Sequence, residues 1–66
     1  MQKWEYLTAR VSLGEISYIN GRLIDCTIRK KTEEFLQERG NEGWELVGLG
    51  IYGGGDEILY FKRPKS

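Results

Sequence analysis

Three stretches of the chain alternate between side chains that would lie on opposite sides of a β-strand, and both sides are rich in apolar residues. The stretches are residues 4–13, 44–51 and 57–63. Period-two alternation with Tyr, Thr and Val predicts strands. A sheet built from them has two apolar faces, and each face must be covered to keep it out of water. This requirement constrains the fold more than any other feature of the sequence.

The alternation also predicts which side chains share a face. One face is expected to carry Leu7, Ala9, Val11, Val47, Leu49, Leu59 and Phe61. The other is expected to carry Trp4, Tyr6, Trp44, Leu46, Ile58 and Tyr60.

The remaining elements are a hairpin and one helix. Asn20-Gly21 between two apolar runs predicts a hairpin over residues 16–25, the alternative being an irregular loop that contains a turn. Residues 31–39 predict a short helix, with Thr32 as N-cap and Gly40 following its last residue. Pro64 is expected to end the last strand. The predicted fold is a single α+β domain, residues 1–66, with a small antiparallel sheet packed on one helix.

One short helix covers only one face, so the second face predicts self-association into a homodimer or a larger closed oligomer. The residues expected at this interface or ligand surface are Trp4, Tyr6, Trp44, Leu46 and Tyr60. The alternative is that the segment between Gly14 and Lys30 folds back and covers the second face.

The size of the chain points the same way. A 66-residue chain is marginal for independent stability, and small domains often add disulfides, a metal or oligomerisation. The single cysteine has no partner within the chain, and with no histidine the sequence cannot supply a structural zinc site. We therefore expect no metal and favour oligomerisation.

Catalytic chemistry is poorly represented. Without histidine there is no imidazole base for a serine or cysteine nucleophile. We predict no catalytic residues, no cofactor and no enzymatic activity, and hence a homo-oligomeric binding or interaction module.

A glycine-rich stretch suggests an alternative function. Residues 48–53 match G-x-G-x-x-G, but this motif binds a pyrophosphate only where a helix follows, and here a turn and a strand are predicted. Exposed amides beside arginines could still hold a small nucleotide-like anion between subunits. The candidate contacts are Arg10, Arg22, Arg63, Gly53, Gly54 and Gly55. A nucleic-acid-binding accessory role is a further alternative, which the zero net charge disfavours.

The expected cellular location follows from the targeting segments and cysteine content of the sequence. The chain starts with charged residues rather than an apolar signal segment, and no apolar run approaches the about 20 residues of a membrane span. A lone cysteine fits a reducing compartment. We expect a cytoplasmic protein with no membrane partner.

Three sequence pieces together resemble a known family. They are Trp4-Glu5-Tyr6, the stretch Gly40-Asn41-Glu42-Gly43-Trp44-Glu45-Leu46-Val47, and Phe61-Lys62-Arg63-Pro64. Their order and spacing over nearly the whole chain resemble the small bacterial and phage proteins of domain-of-unknown-function family 4177. The resemblance implies an α+β fold and a prokaryotic or phage cytoplasmic setting, and it implies no catalytic residues.

Overall fold

The computed structural model describes residues 1–65. In chain order the elements are β1 (Lys3–Ser12), β2 (Glu15–Ile19), β3 (Arg22–Leu23), α1 (Thr32–Asn41), β4 (Glu45–Ile51), a 3-10 turn (Gly53–Gly55) and β5 (Glu57–Lys65). The strands form one antiparallel sheet in the order β3-β2-β1-β5-β4. The predicted α+β class, with one helix on a small antiparallel sheet, is confirmed.

The two central strands define the two faces of the sheet. β1 and β5 pair over nine residues, with Leu7 opposite Phe61 and Ala9 opposite Leu59. These four side chains are buried. We call their side of the sheet the inner face and the opposite side the outer face.

The core lies between the inner face and the helix. It consists of Leu7, Ala9, Val11, Ile16, Phe35, Leu59 and Phe61. Phe35 is the buried residue of α1, and its ring meets that of Phe61 edge-on with centroids 5.8 Å apart. Phe35 is thus the main anchor of α1 on the sheet, and the partly buried Leu36 packs beside it.

The predicted hairpin forms at Asn20-Gly21. Both residues have positive φ, 51° and 81°, as a type I′ turn requires. The Asn20 side-chain oxygen accepts a hydrogen bond from the Thr8 amide, 3.0 Å away, which ties the turn to β1.

The segment after the hairpin lies on the inner side, beside the helix. The Ile16 amide donates to the Lys30 carbonyl at 2.9 Å, and the backbones of Glu15 and Lys31 form an isolated antiparallel β-bridge. Residues 24–31 therefore do not cover the outer face, so the alternative arrangement expected for this segment is not what forms.

The helix ends differ from those predicted. Lys31 occupies the N-cap position without a side-chain cap, while Thr32 is the first helical residue and its hydroxyl donates to the Gly14 carbonyl. At the other end the helix runs through Gly40. Gly43, with φ of 90°, is the residue after the C-cap: its amide bonds the Gly40 carbonyl, and the next amide, of Trp44, bonds the Arg39 carbonyl. This pair of bonds is a Schellman motif, which needs a left-handed residue that Gly43 supplies.

A β-bulge in β4 changes the predicted faces. Leu46 lies opposite Phe61, but Gly48 rather than Val47 lies opposite Tyr60. The extra residue at Val47 reverses the alternation, so Leu46 and Leu49 both lie on the inner face. The prediction that Leu46 shares a face with Trp4 and Tyr6 was wrong for this reason.

Pro64 lies inside β5, opposite Trp4, and the strand continues to Lys65. The pairing of β4 with β5 stops at Lys62, so the end of β5 has a neighbour on one side only. A residue without an amide proton is tolerated in such an edge position. The predicted end of the strand at Pro64 was therefore wrong.

Candidate functional site

Tryptophan and tyrosine are concentrated on the outer face, whereas both phenylalanines are in the core. The outer-face aromatic residues are Trp4, Tyr6, Tyr18, Tyr52 and Tyr60. Their rings combine a large apolar surface with a polar atom, a property that enriches Tyr and Trp at interfaces. The outer face is therefore the broadest candidate surface for interaction.

The middle of this face is open to solvent. Trp4, Tyr6 and Tyr60 are 41%, 66% and 43% exposed. The Lys62 ammonium lies 4.3 Å from the centre of the Trp4 ring, a cation-π geometry. Tyr60 lies over β4, where a β-carbon added to Gly50 would meet the ring at 3.6 Å, so the glycine makes room for it.

Arg10 organises a second part of the outer face, which we call the Arg10 cluster: Arg10, Tyr18, Tyr52 and Asp56. The guanidinium carbon lies 4.1 Å from the Tyr52 ring centre and 5.1 Å from that of Tyr18. Arg10 Nε and Nη2 reach Asp56 Oδ2 at 2.9 and 2.8 Å. A cavity of about 240 Å³ adjoins the cluster.

The charge of Arg10 is compensated within the chain. The hydrogen bond from Arg10, with a smaller contribution from Ser12, lowers the pKa of Asp56 from its ordinary value of 3.8. Arg10 thus fixes the Gly53–Gly55 turn to β1 through the residue that follows the turn, and it stands between two rings as a structural cation.

Asp56 is expected to make the free energy of unfolding depend on pH in the acidic range. The pKa of Asp56 is lower in the folded state than in the unfolded state, so the folded state binds fewer protons. The stabilisation from Asp56 is therefore complete at pH values above the unfolded pKa of 3.8, and it is lost as the pH falls through the folded pKa. Denaturant unfolding at neutral pH and at pH 3 should show a smaller acid-induced loss for Asp56→Asn than for the unchanged chain.

Asp25 supplies the comparison for that experiment. Its pKa is also lowered, by hydrogen bonds from the Thr27 amide and then the Thr27 hydroxyl. Asp25→Asn should remove a different part of the acid sensitivity. An Asp56→Asn chain with the pH dependence of the unchanged chain would refute the role given to the Arg10–Asp56 pair.

The predicted anion contacts do not form one site: Arg10 lies beside the Gly53–Gly55 turn through Asp56, whereas Arg22 and Arg63 lie elsewhere on the sheet. Arg63 Nε bonds Glu5 at 2.6 Å, and its Nη1 bonds the Glu42 carbonyl at 2.8 Å. Arg22 is exposed on β3, at the far edge of the sheet from β4. Gly53, Gly54 and Gly55 form an exposed turn between two strands, with no helix after the G-x-G-x-x-G match. Binding of a nucleotide-like anion by these residues stays a prediction.

The five predicted interface residues divide between the two faces. Trp4, Tyr6 and Tyr60 share the outer face. Trp44 is half-buried against the core, with the Arg63 guanidinium 4.3 Å from its ring centre. The Schellman motif directs the chain so that Trp44 joins the core, and no periodicity in the sequence could reveal this.

β4 is the strand at the open edge of the sheet, and we call it the β4 edge. It pairs with β5 on one side and with no other strand of residues 1–65. The side chains of Leu46, Leu49 and Ile51 lie on its inner side and are 45%, 57% and 87% exposed. The helix packs on the neighbouring strands, with Phe35 against Phe61 of β5, and leaves much of these three side chains uncovered.

Other chemistry is sparse in the described residues. Within residues 1–65, no three Cys, Asp or Glu side chains cluster closely enough to hold a metal ion. Cys26 is exposed and unpaired. In the same residues, the helix is too short and too polar to cross a membrane.

Comparison with known proteins adds no relative. No protein-family model matches the chain, and neither the curated proteins nor the solved structures give a significant match. The resemblance to domain-of-unknown-function family 4177 stays a prediction.

Proposed function

We propose that the protein is a non-enzymatic interaction module that assembles with copies of itself through the β4 edge. The observation that carries this proposal is an unpaired seven-residue strand whose inner side chains are apolar and exposed. Pairing this edge with another β4 would turn two five-stranded sheets into one of ten strands.

The β4 edge has one of the devices that normally keep edge strands from pairing, the bulge at Val47, but it lacks lysine and proline. Edge strands are usually very short, or carry lysine or proline. Glu45, the first residue of β4, is its one charged residue, and the strand contains neither lysine nor proline. The opposite edge, β3, is two residues long and contains Arg22. The sheet is thus more strongly protected at the β3 edge than at the β4 edge.

A second copy of the chain fits this edge. Antiparallel pairing of two β4 strands about a two-fold axis perpendicular to the sheet keeps both inner faces on the same side. Leu46, Leu49 and Ile51 of both copies would then form one apolar strip. The zero net charge of the chain adds no long-range repulsion between copies.

The outer face offers a second contact between copies. Packing Trp4, Tyr6 and Tyr60 against the outer face of another sheet would form a sandwich with sheets about 10 Å apart. Combined with edge pairing, this contact would raise the stoichiometry above two. The exposed thiol of Cys26 fits assembly in a reducing cytoplasm.

Sedimentation equilibrium over a wide concentration range tests the proposal. We expect a molar mass at an integer multiple of 7.7 kDa that falls towards 7.7 kDa on dilution. A mass of 7.7 kDa at every concentration, with the fold intact by circular dichroism, would contradict the proposal.

A further inference from the structure

Three exposed rings of the outer face lie together on the two central strands, and we call Trp4, Tyr6 and Tyr60 the aromatic platform. Trp4 and Tyr6 are two residues apart on β1, or about 7 Å. Tyr60 of β5 pairs with Thr8 of β1, so it lies diagonally from Tyr6, about 7–8 Å away. The three rings are therefore spaced so that each can contact a separate planar group.

The neighbouring strand supports one ring of the platform without covering it. A β-carbon added to Gly48 or Gly50 would come within 3.9 or 3.6 Å of the Tyr60 ring, so the ring lies over β4. Both positions are glycine, and neither places a side chain on the ring. Tyr60 accordingly stays 43% exposed.

Lysines without an ion pair lie at one end of the platform. Lys62 lies opposite Tyr6, and its ammonium is 4.3 Å from the centre of the Trp4 ring. Lys3 and Lys65 lie directly opposite each other in the last pair of β1 and β5, next to Trp4. Within residues 1–65, no carboxylate lies within 4.0 Å of any of the three ammonium groups.

The pairing of Lys3 with Lys65 favours an anion at this end of the sheet. Like charges directly opposite each other on neighbouring strands destabilise a sheet. Both side chains start on the inner side, and their flexible four-carbon stems can carry the ammonium groups round the end of the sheet towards the platform. A bound polyanion would relieve the repulsion between them.

The zero net charge of the chain, which disfavours nucleic acid as a general partner, conceals this local excess of positive charge. At this end of the sheet Glu5 is paired with Arg63, and Glu45 lies opposite Lys62 without an ion pair in the described residues. Two of the carboxylates that balance the total lie in the first turn of α1, on the inner side. Three lysines thus face one unpaired carboxylate beside the platform.

We propose that the aromatic platform binds single-stranded nucleic acid. Unpaired bases stack on the rings of Trp4, Tyr6 and Tyr60, while the three lysines contact phosphates. Every base has a face that can stack, so the binding has little sequence preference. A duplex keeps its bases stacked on one another and offers none of them to the platform.

Binding of nucleic acid goes beyond the proposed assembly. The β4 edge lies outside the platform, so pairing of two β4 strands and binding of nucleic acid are compatible in one molecule. Packing of two outer faces is not compatible with it, because that contact buries the same three rings.

Fluorescence anisotropy of fluorescein-labelled oligonucleotides of about eight nucleotides, titrated with the full chain, tests the proposal. We expect oligothymidylate and oligouridylate to bind with dissociation constants of about 1–100 μM at about 50 mM salt. With three phosphate contacts, binding should weaken about 20-fold on going to about 200 mM salt. The thymidylate–adenylate duplex should bind more weakly than the single strand.

The two single strands distinguish the source of the ligand, since binding of only one would assign the platform to DNA or to RNA. No binding of either strand at about 300 μM protein and low salt would overturn the proposal. Equal affinity for the duplex and the single strand would also overturn it, because a duplex leaves no base free to stack.

Two variants of Tyr6 test stacking. Tyr6 is 66% exposed, so Tyr6→Ala should leave the fold intact by circular dichroism and weaken binding about 5- to 150-fold at fixed salt. Tyr6→Phe keeps the ring and should bind as the unchanged chain does. Unchanged affinity in Tyr6→Ala, or an equal loss in both variants, would refute stacking on this ring.

A pair of lysine variants tests the phosphate contacts. Lys65→Gln should reduce the loss of affinity between about 50 and 200 mM salt from about 20-fold to about 7-fold, because one phosphate contact is removed. Lys31→Gln removes an exposed charge at the start of α1, on the inner side, and is the matched control. Equal effects of the two substitutions would overturn the assignment of Lys65.

Discussion

Leu49→Lys is expected to convert the oligomer to a monomer at concentrations where the unchanged chain is associated. Leu49 lies mid-strand on the inner side of β4 and is 57% exposed in the single chain. Pairing two copies would bury this remaining apolar area, worth about 2 to 3 kcal/mol for both copies. Its loss alone should raise the dissociation constant about 30- to 150-fold, and repulsion between the two ammonium groups adds to this. Sedimentation equilibrium measures the change.

Leu23→Lys provides the matched control. Leu23 is 64% exposed on β3, at the opposite edge of the sheet, so this variant introduces the same charge in place of the same side chain. It should leave the association unchanged. If the two variants weakened association equally, the β4 edge would not be the contact.

Phe61→Ala is expected to destabilise the fold severely. Phe61 is 2% exposed, contacts the Phe35 ring edge-on, and lies between Leu7 of β1 and Leu46 of β4. Truncating a buried phenylalanine costs about 3–5 kcal/mol. A domain of this length has a free energy of unfolding of about 3–10 kcal/mol, so the substitution removes much or all of it. Urea unfolding at one fixed protein concentration gives the value, because association also contributes stability.

Two further variants make that result specific to the core. Phe61→Leu keeps most of the buried volume and should lose much less stability than Phe61→Ala. Leu13→Ala truncates a fully exposed apolar side chain in a turn, and should change the free energy of unfolding by less than about 0.5 kcal/mol. A Phe61→Ala chain as stable as Leu13→Ala would refute the core assignment.

The elements were predictable where one local rule decided them. Alternation predicted the three long strands because successive side chains point to opposite faces of the sheet, and in β1 and β5 one of these faces is buried. Asn20-Gly21 gave the hairpin because both residues adopt positive φ readily. The buried positions of Leu7, Ala9 and Val11 follow directly from the period of β1.

Prediction failed where the outcome depended on partners distant in sequence. The bulge at Val47 depends on how β4 pairs with β5, and it moved Leu46 to the other face. Gly40 and Gly43 could each end the helix according to the sequence. Gly43 is the residue that terminates it, and the following residue, Trp44, packs against the core. Pro64 is tolerated because β4 stops short of it, which the sequence of β5 alone does not indicate.

The candidate sites were predictable to a similar extent. Three exposed outer-face aromatics followed from alternation, but the pairing of Arg10 with Asp56 joins residues 46 positions apart and was not foreseen. Tyr18 was already predicted to lie in the hairpin, and its place beside Arg10 depended on the register with β1. The openness of the β4 edge follows from strand order, which no local pattern specifies.

Hydrogen exchange at the amides of β4, measured over a dilution series, tests assembly through this edge most directly. In a single chain the amides directed away from β5 have no partner strand and should exchange rapidly. In the assembled protein we expect these amides to be protected at high concentration, and to lose protection on dilution and in the Leu49→Lys chain. Rapid exchange of the outward-directed β4 amides in a chain shown to be oligomeric would contradict assembly through the β4 edge.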